Sequence, residues 1–369
     1  MLYILVFLAL SLSVLILSRR IRYSKSVASA AHYQPLIFWL FTFLLALIAG
    51  LREEIILDYQ TYKNLFDTLP HAISAPKDFI TFYFFVFKIE PLSLLLSYVG
   101  SLLGGEKLIF FLFSIITLAL FGYSAYKLTP YPLVALLFYF SNYFFFMPMG
   151  QIRSGLAYSL IGIAGYLILK NQRTKSFFIA IISIGFHFSA VIFFLAYLWR
   201  KYEKIAYNSL FIIILGAGLG YSGLAEQIVF LFYNIIGEPS AIRSYVYGAR
   251  SEGAPLLNLG LYQSLAFLFI SLFIYKRLKS PNDTLTFLIA MVTLGCALRL
   301  FFVDFHQLGA RLASPFLFFD CYILGYIAAY FRPYFFSISV VVFLCAAIFV
   351  YNFNYLGLSE GYRHWVTIF

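Results

Sequence analysis

Charge is what this chain has least of. Of its 369 residues, 11% are Asp, Glu, Lys or Arg, and only 15 are acidic, where a soluble domain carries about a quarter charged residues. A soluble enzyme is excluded, because a chain this long could not cover its surface with so few. Cysteine is also scarce. Cys296, Cys321 and Cys345 lie in apolar stretches with no CxxC and no neighbouring His, so they read as buried packing, with no disulfide framework and no zinc site. Nucleotide and protease signatures are missing too. There is no GxxxxGK[ST], no GxGxxG ahead of a helix, no HExxH and no GxSxG. No cofactor or metal is therefore expected, ATP is not drawn on directly, and any reaction must start from a substrate that is already activated. Low-complexity tracts, repeats of 20 to 50 residues and a soluble domain are likewise absent from the sequence.

What the chain has in abundance is apolar surface. Hydrophobic residues make up 63%, with 45 Phe and 30 Tyr, in runs approaching the ~20 residues that cross a bilayer as a helix. The fold class expected is all-α: a polytopic integral membrane bundle, a single domain over 1–369, with about 10–12 transmembrane segments. A β-barrel would alternate in short segments instead. The first run, Leu2 to Leu17, has its positive residues behind it at Arg19, Arg20, Arg22 and Lys25. That is the reverse of a cleavable signal, so it reads as a retained span with its N-terminus outside.

Eleven further apolar segments follow, at about 35–51, 79–103, 108–126, 131–148, 152–169, 177–199, 205–221, 257–275, 285–303, 312–330 and 334–352. If all twelve cross, Lys127 and the Lys170, Arg173, Lys175 cluster fall outside while the Arg19 and Arg200 clusters fall inside. The positive-inside rule favours a different count, in which 79–103 and 177–199 are re-entrant or interfacial hairpins and ten segments cross. The first is broken by Lys88, Glu90 and Pro91, and the second is centred on Gly185, Phe186 and His187. The inside then holds fifteen of the 26 Lys and Arg, and the net charge of +11 reads as orientation rather than nucleic-acid binding. Of the eleven left outside, seven are arginines: Arg52, Arg153, Arg243, Arg250, Arg299, Arg311 and Arg363. Two outer loops exceed a connector, approximately 52–78 and 222–256. The second opens with Ile228 to Ile236, read as an interfacial helix leading to a lid-like segment with Arg243 and Arg250.

Several residues invite a chemical reading, each against a plainer one. Asp58, Tyr59 and Tyr62 can share one face of a short helix, or can be an N-cap with two interfacial aromatics. Glu90 before Pro91 lines a polar cavity or pairs with a cation such as Lys88, or else sits at the surface where proline starts a helix. Arg153 near a helix start opposes the macrodipole, a poor structural choice and a good anion-binding one. His187 is ionisable inside an apolar run, either functional or a satisfied core residue. Arg299 pairs with Asp304 or binds ligand, and Arg311 is the better ligand candidate of the two, with His306 between them. Arginine forks suit phosphate oxygens, and tyrosines stack on sugar rings. Together they fit a lipid-linked diphosphate whose diphosphate is itself the leaving group.

In order along the chain, Arg52, Asp58-Tyr59-x-x-Tyr62, Glu90-Pro91, Ile152-Arg153-x-x-x-Ala157, Phe186-His187-x-Ser189-Ala190 and Arg311 resemble the EpsG-like branch of the Wzy-type polysaccharide (O-antigen and exopolysaccharide) polymerases. The resemblance spans about 52–316. It departs at Leu57, where a glycine often precedes the Asp-Tyr pair, at Ser154, where Gln is common, and at Pro315-Phe316, in place of an aromatic pair. The resemblance implies a bacterial inner-membrane glycosyltransferase with its site facing the periplasm. Such an enzyme joins undecaprenyl-diphosphate-linked oligosaccharides without a metal, among membrane lipids, with a chain-length regulator and a flippase as partners and no nucleic acid. The site expected combines Glu90, Asp58, His187 and Arg153 as catalytic groups with Arg52, Tyr59, Tyr62, Arg243, Arg250, Arg299 and Arg311 as substrate-binding groups. Glu90 is the first choice of base. The alternative is a transporter or flippase of the same lipid-linked oligosaccharide.

Overall fold

The computed structural model describes residues 1–23, 33–53, 58–72, 89–198, 201–236, 259–278 and 282–357. Among them the regular structure is helical: α1 (Leu2–Tyr23), α2 (Tyr33–Gly50), α3 (Tyr59–Ala72), α4 (Pro91–Leu128), α5 (Pro132–Asn142), α6 (Ile152–Leu169), α7 (Arg173–Phe186), a 3-10 helix (Phe188–Leu198), α8 (Glu203–Tyr207), α9 (Ser209–Tyr221), α10 (Leu224–Ile236), α11 (Leu259–Arg277), α12 (Asp283–Phe301), α13 (His306–Leu317), α14 (Asp320–Tyr330) and α15 (Tyr334–Tyr355). The protein is a polytopic helical membrane protein, as its composition requires. Five described helices are long and apolar enough to cross a bilayer: α4, α6, α11, α12 and α15. The number becomes seven if two bent pairs each count as one span, α9 with Leu224–Leu231 at 67° and α13 with α14 at 50°. Several other apolar segments form helices too short for that test, including Leu2–Leu17, Pro35–Gly50, Pro132–Asn142 and Phe188–Leu198.

The differences from the expected segments lie at helix breaks. Glu90 is extended (φ −60°, ψ 143°) and Pro91 takes the first helical position, where its missing N–H costs nothing. The chain then turns back: a Cβ on Gly100 would lie 2.7 Å from Ile109 Cγ1 and 3.4 Å from its Cα, whereas nine residues of continuous helix would separate the two by about 13 Å. The reversal lies at Gly105 (φ 72°, ψ −163°), a backbone conformation open to glycine, so α4 consists of two helical legs, with the break between 103 and 108 where the sequence places it. Residues 79–88, the other leg of the expected hairpin, lie outside the described residues. The break expected within 177–199 is present. His187 is extended (φ −155°, ψ 123°) and separates α7 from the 3-10 helix.

The chain divides into two compact units. Unit 1 comprises Met1–Phe188 and Leu324–Phe369. Its helices pack through small residues and hydroxyls: Ser176 Oγ donates to the Ala164 carbonyl at 2.7 Å and Ser183 Oγ to that of Ala157 at 2.8 Å, fixing α7 on α6. Interhelical bonds of this kind contribute about 0.5–1 kcal/mol each, and small residues add closeness of approach. Aromatic contacts tie α1 to α15, where Phe7 stacks on Phe349 at 4.7 Å. Below α3 lies a cluster of Tyr59, Tyr62, Phe66, Phe110 and Ile152.

Unit 2 comprises Ser189–Ile323. Asn282 caps α12 by accepting from the Leu285 N–H at 2.9 Å. This helix is the centre of the unit, with α8, α9, α11 and α13 packed on it. Thr293 Oγ1 donates to Ser209 Oγ at 2.9 Å, and Phe287 meets the rings of Tyr202 and Phe319. All three cysteines are free and buried, as expected.

Candidate functional site

Four of the residues singled out in the sequence meet in unit 1, where α4 and α6 begin and α7 ends. Glu90 sits just ahead of α4, Arg153 is the second residue of α6, His187 ends α7, and Tyr62 comes from α3. Two features hold these ends together. Ser93 Oγ donates to the Phe186 carbonyl at 2.8 Å, tying the first turn of α4 to the last of α7. Gly185 lets the same ends touch, since a Cβ there would lie 2.6 Å from Leu92 Cδ1.

Both carboxylate oxygens of Glu90 are used. Oε1 accepts from His187 Nδ1 at 2.8 Å and from the Phe188 N–H at 3.1 Å. Oε2 accepts from Arg153 Nη1. Arg153 Nε donates to the Tyr62 hydroxyl at 3.3 Å, and its guanidinium lies 5.7 Å from the Tyr62 ring centre. Nη2 has no hydrogen-bond partner among the described residues, and 27% of the side chain is exposed. Tyr158 meets the His187 ring edge to face at 6.3 Å.

Burial pushes the Glu90 carboxyl up. The His187 hydrogen bond and the Arg153 charge outweigh that and hold it well below the carboxylate range, at about 2. Glu90 is thus ionised and an acceptor only, which makes His187 Nδ1 the donor. In the neutral imidazole the lone pair then lies on Nε2. The arrangement presents one orientable base and one guanidinium edge beside each other.

The other predicted residues lie elsewhere. Tyr59 and Tyr62 both face inward from α3, and Tyr59 stacks on Phe110 at 4.7 Å. Asp58 is exposed at the start of that helix, its carbonyl accepting from the Tyr62 N–H, so the three do not share a face. Arg52 is buried, with its guanidinium 4.6 Å from the Phe110 ring centre and Nη1 donating to the Ala49 carbonyl.

In unit 2, Arg299 is also buried and does not pair with Asp304. Its Nη1 donates to the His306 carbonyl at 2.8 Å and its Nη2 to His306 Nδ1 at 3.0 Å, while Asp304 is exposed. The turn in which the Phe305 N–H donates to the Phe302 carbonyl brings His306 back to Arg299. Arg311 is half-buried on α13. Arg243, Arg250 and Lys88 lie outside the described residues. The Ile228–Ile236 stretch lies within α10.

Sequence reasoning missed the part played by Ser93. Its signal is a small hydroxyl on the first turn after Glu90-Pro91. Among the described residues, no three His, Cys, Asp or Glu side chains gather as a metal-binding group. Comparison with curated proteins and with solved structures finds no match. One comparison does reach the whole region in which these residues lie: the family model described as the EpsG family matches residues 36–365, most of the chain, and the protein belongs to that family.

Proposed function

We propose that the protein is a polysaccharide polymerase. It would join oligosaccharide repeat units carried on undecaprenyl diphosphate at the periplasmic face of the bacterial inner membrane. Membership of the EpsG family, related to the Wzy-type polymerases, supports the reaction class. The single observation that carries the reading is the Glu90, Arg153, His187, Tyr62 cluster at the ends of apolar helices. A lipid diphosphate has its charge at that level, where the hydrocarbon region ends.

In this reading the acceptor hydroxyl attacks the anomeric carbon of the donor chain. Its proton passes to His187 Nε2 as the new C–O bond forms. The bond from the anomeric carbon to the diphosphate oxygen breaks, and the electron pair leaves with the diphosphate. Arg153 meets that charge through Nη2 while Tyr62 and Glu90 hold the rest of the guanidinium. Glu90, the first-choice base from sequence, suits orientation better than proton abstraction. A carboxylate held at about 2 binds a proton weakly, and an ion pair with Arg153 occupies it. His187, oriented by Glu90, is the base in this mechanism, and Asp58 has no part in it.

A second reading, transport of the same lipid-linked oligosaccharide, draws on the interrupted helices, since broken spans build transporter sites. Purified protein in nanodiscs, given a defined undecaprenyl-diphosphate repeat unit and no nucleotide, separates the two. A ladder of products by gel and mass spectrometry is the expected result. No ladder, together with movement of labelled lipid across a proteoliposome bilayer, would replace polymerisation with transport.

A further inference from the structure

Unit 2 contains an ionisable group that the proposed reaction does not use. Asp320 opens α14 at the bend in the α13 and α14 pair, in the middle of an apolar segment, and its side chain is fully buried. Ser264 of α11 donates its hydroxyl hydrogen to Oδ2. Oδ1 is buried with no hydrogen-bond partner among the described residues. The Cys296 thiol on α12, also fully buried, is a titratable neighbour, the buried Cys321 thiol follows Asp320 directly in sequence, and no cation pairs with the carboxyl among the described residues. The backbone at this point is tightened into short-range bonds: the Phe319 N–H donates to the Phe316 carbonyl at 3.2 Å and the Tyr322 N–H to that of Phe319 at 3.0 Å, following Pro315 inside α13.

An ionised carboxylate here would carry its charge on a buried oxygen that meets no donor and no cation among the described residues. That arrangement favours the neutral acid. The two oxygens differ in the way a carboxylic acid requires. Oδ2 accepts a hydrogen bond, as a carbonyl oxygen does, and Oδ1 has room in its bonding for a proton. One carboxyl and one hydroxyl supply too few oxygens for a metal cation, which takes about six. Ionisable residues within spans mark ion or proton sites far more often than packing, above all where a helix is interrupted.

We propose that Asp320 is an exchangeable proton-binding site inside the membrane-spanning part of unit 2, with the proton on Oδ1, Ser264 as the hydrogen-bond donor to Oδ2, and the α13–α14 bend as the element its occupancy sets. Releasing the proton leaves an unpaired charge at the bend, which must then open toward water or a cation. The inference is independent of the polymerase reading, because it concerns a different unit and a group that touches no part of the proposed reaction.

Infrared difference spectroscopy on the full-length protein in nanodiscs tests it, comparing wild type with Asp320→Asn and Ser264→Ala. At neutral pH the wild type should show the carbonyl stretch of a protonated carboxylic acid. That band should be lost in Asp320→Asn and shifted to higher frequency in Ser264→Ala, where the hydrogen bond to the carbonyl oxygen is gone. Raising the pH should convert it reversibly to carboxylate bands. If Asp320→Asn does not fold, the Ser264→Ala shift assigns the band by itself, since Ser264 bonds this carboxyl. A carboxylate at neutral pH would overturn the proposal, and so would a band unmoved by alkaline buffer. A band that sodium ions titrate away at fixed pH would overturn it in favour of a metal cation.

Discussion

Replacing Arg153 by lysine keeps the charge and removes the fork, and it isolates what the guanidinium contributes. In the wild type Nε donates to the Tyr62 hydroxyl and Nη1 to Glu90, which leaves Nη2 with no partner among the described residues and, in the proposed reaction, available to the diphosphate. A lysine ammonium at the end of a flexible stem can keep the Glu90 pair, the strongest of these, and must then give up the geometry that aims a second donor at the substrate. Losing one hydrogen bond to a charged group is worth about 1.5–3 kcal/mol, and each 1.4 kcal/mol is about tenfold in rate. Arg153→Lys should therefore lower turnover in the reconstituted assay by about 10- to 100-fold, with thermal stability close to wild type. Arg153→Ala should lose more, because it removes every guanidinium donor and leaves Glu90 Oε2 without its partner. Initial rates of product-ladder formation with purified protein, alongside thermal unfolding in detergent, give both numbers. Arg153→Lys at wild-type rate with wild-type chain lengths would refute the fork argument.

The other consequences concern the groups around that arginine. Glu90→Gln removes the charge that fixes the His187 tautomer, so turnover should fall by about 100-fold or more, as for other oriented bases. A rate within threefold of wild type would remove Glu90 from the mechanism. The pH dependence of stability follows from the same carboxyl. Its folded pKa is depressed to about 2, so its contribution is in full force above the unfolded value and is lost only as pH falls through the acid range toward 2. Thermal unfolding should be flat in this contribution from about pH 7 to 5, and a loss within that window that Glu90→Gln abolishes would contradict the assignment. Gly185→Val should lower the unfolding temperature and the rate together, because the added atoms meet Leu92 at the junction of α4 and α7 and such overpacking costs about 1–3 kcal/mol. Stability at or above wild type would show that the contact yields without cost.

The helical membrane class was legible because it rests on composition, and the breaks at Glu90-Pro91 and His187 were legible because proline, glycine and ionisable residues interrupt apolar runs locally. The break at Gly105 was legible for the same reason. Gly104, Gly105, Glu106 and Lys107 have the composition of a turn, and the chain reverses there and brings Gly100 against Ile109. The candidate residues could be named one at a time, whereas their meeting could not be read. Glu90 lies 63 residues from Arg153 and 97 from His187, and nothing local encodes that separation being closed. Arg299 shows the converse failure: Asp304 is the nearest acid in sequence, but a tight turn delivers His306 to the guanidinium instead. Asp320 drew no attention inside an apolar run. Its significance comes from full burial beside a single hydroxyl, which only the fold displays.

The central claim is that the lipid diphosphate leaves as a glycosidic bond forms and that Arg153 and His187 act in that step. Counting undecaprenyl diphosphate released against glycosidic bonds formed, in one reaction with a defined lipid-linked repeat unit, tests it most directly. The account predicts one diphosphate per bond, with both quantities lost together in Arg153→Ala and in His187→Ala. Lipid translocated with no diphosphate released, or release and bond formation at the wild-type ratio and rate in both variants, would contradict it.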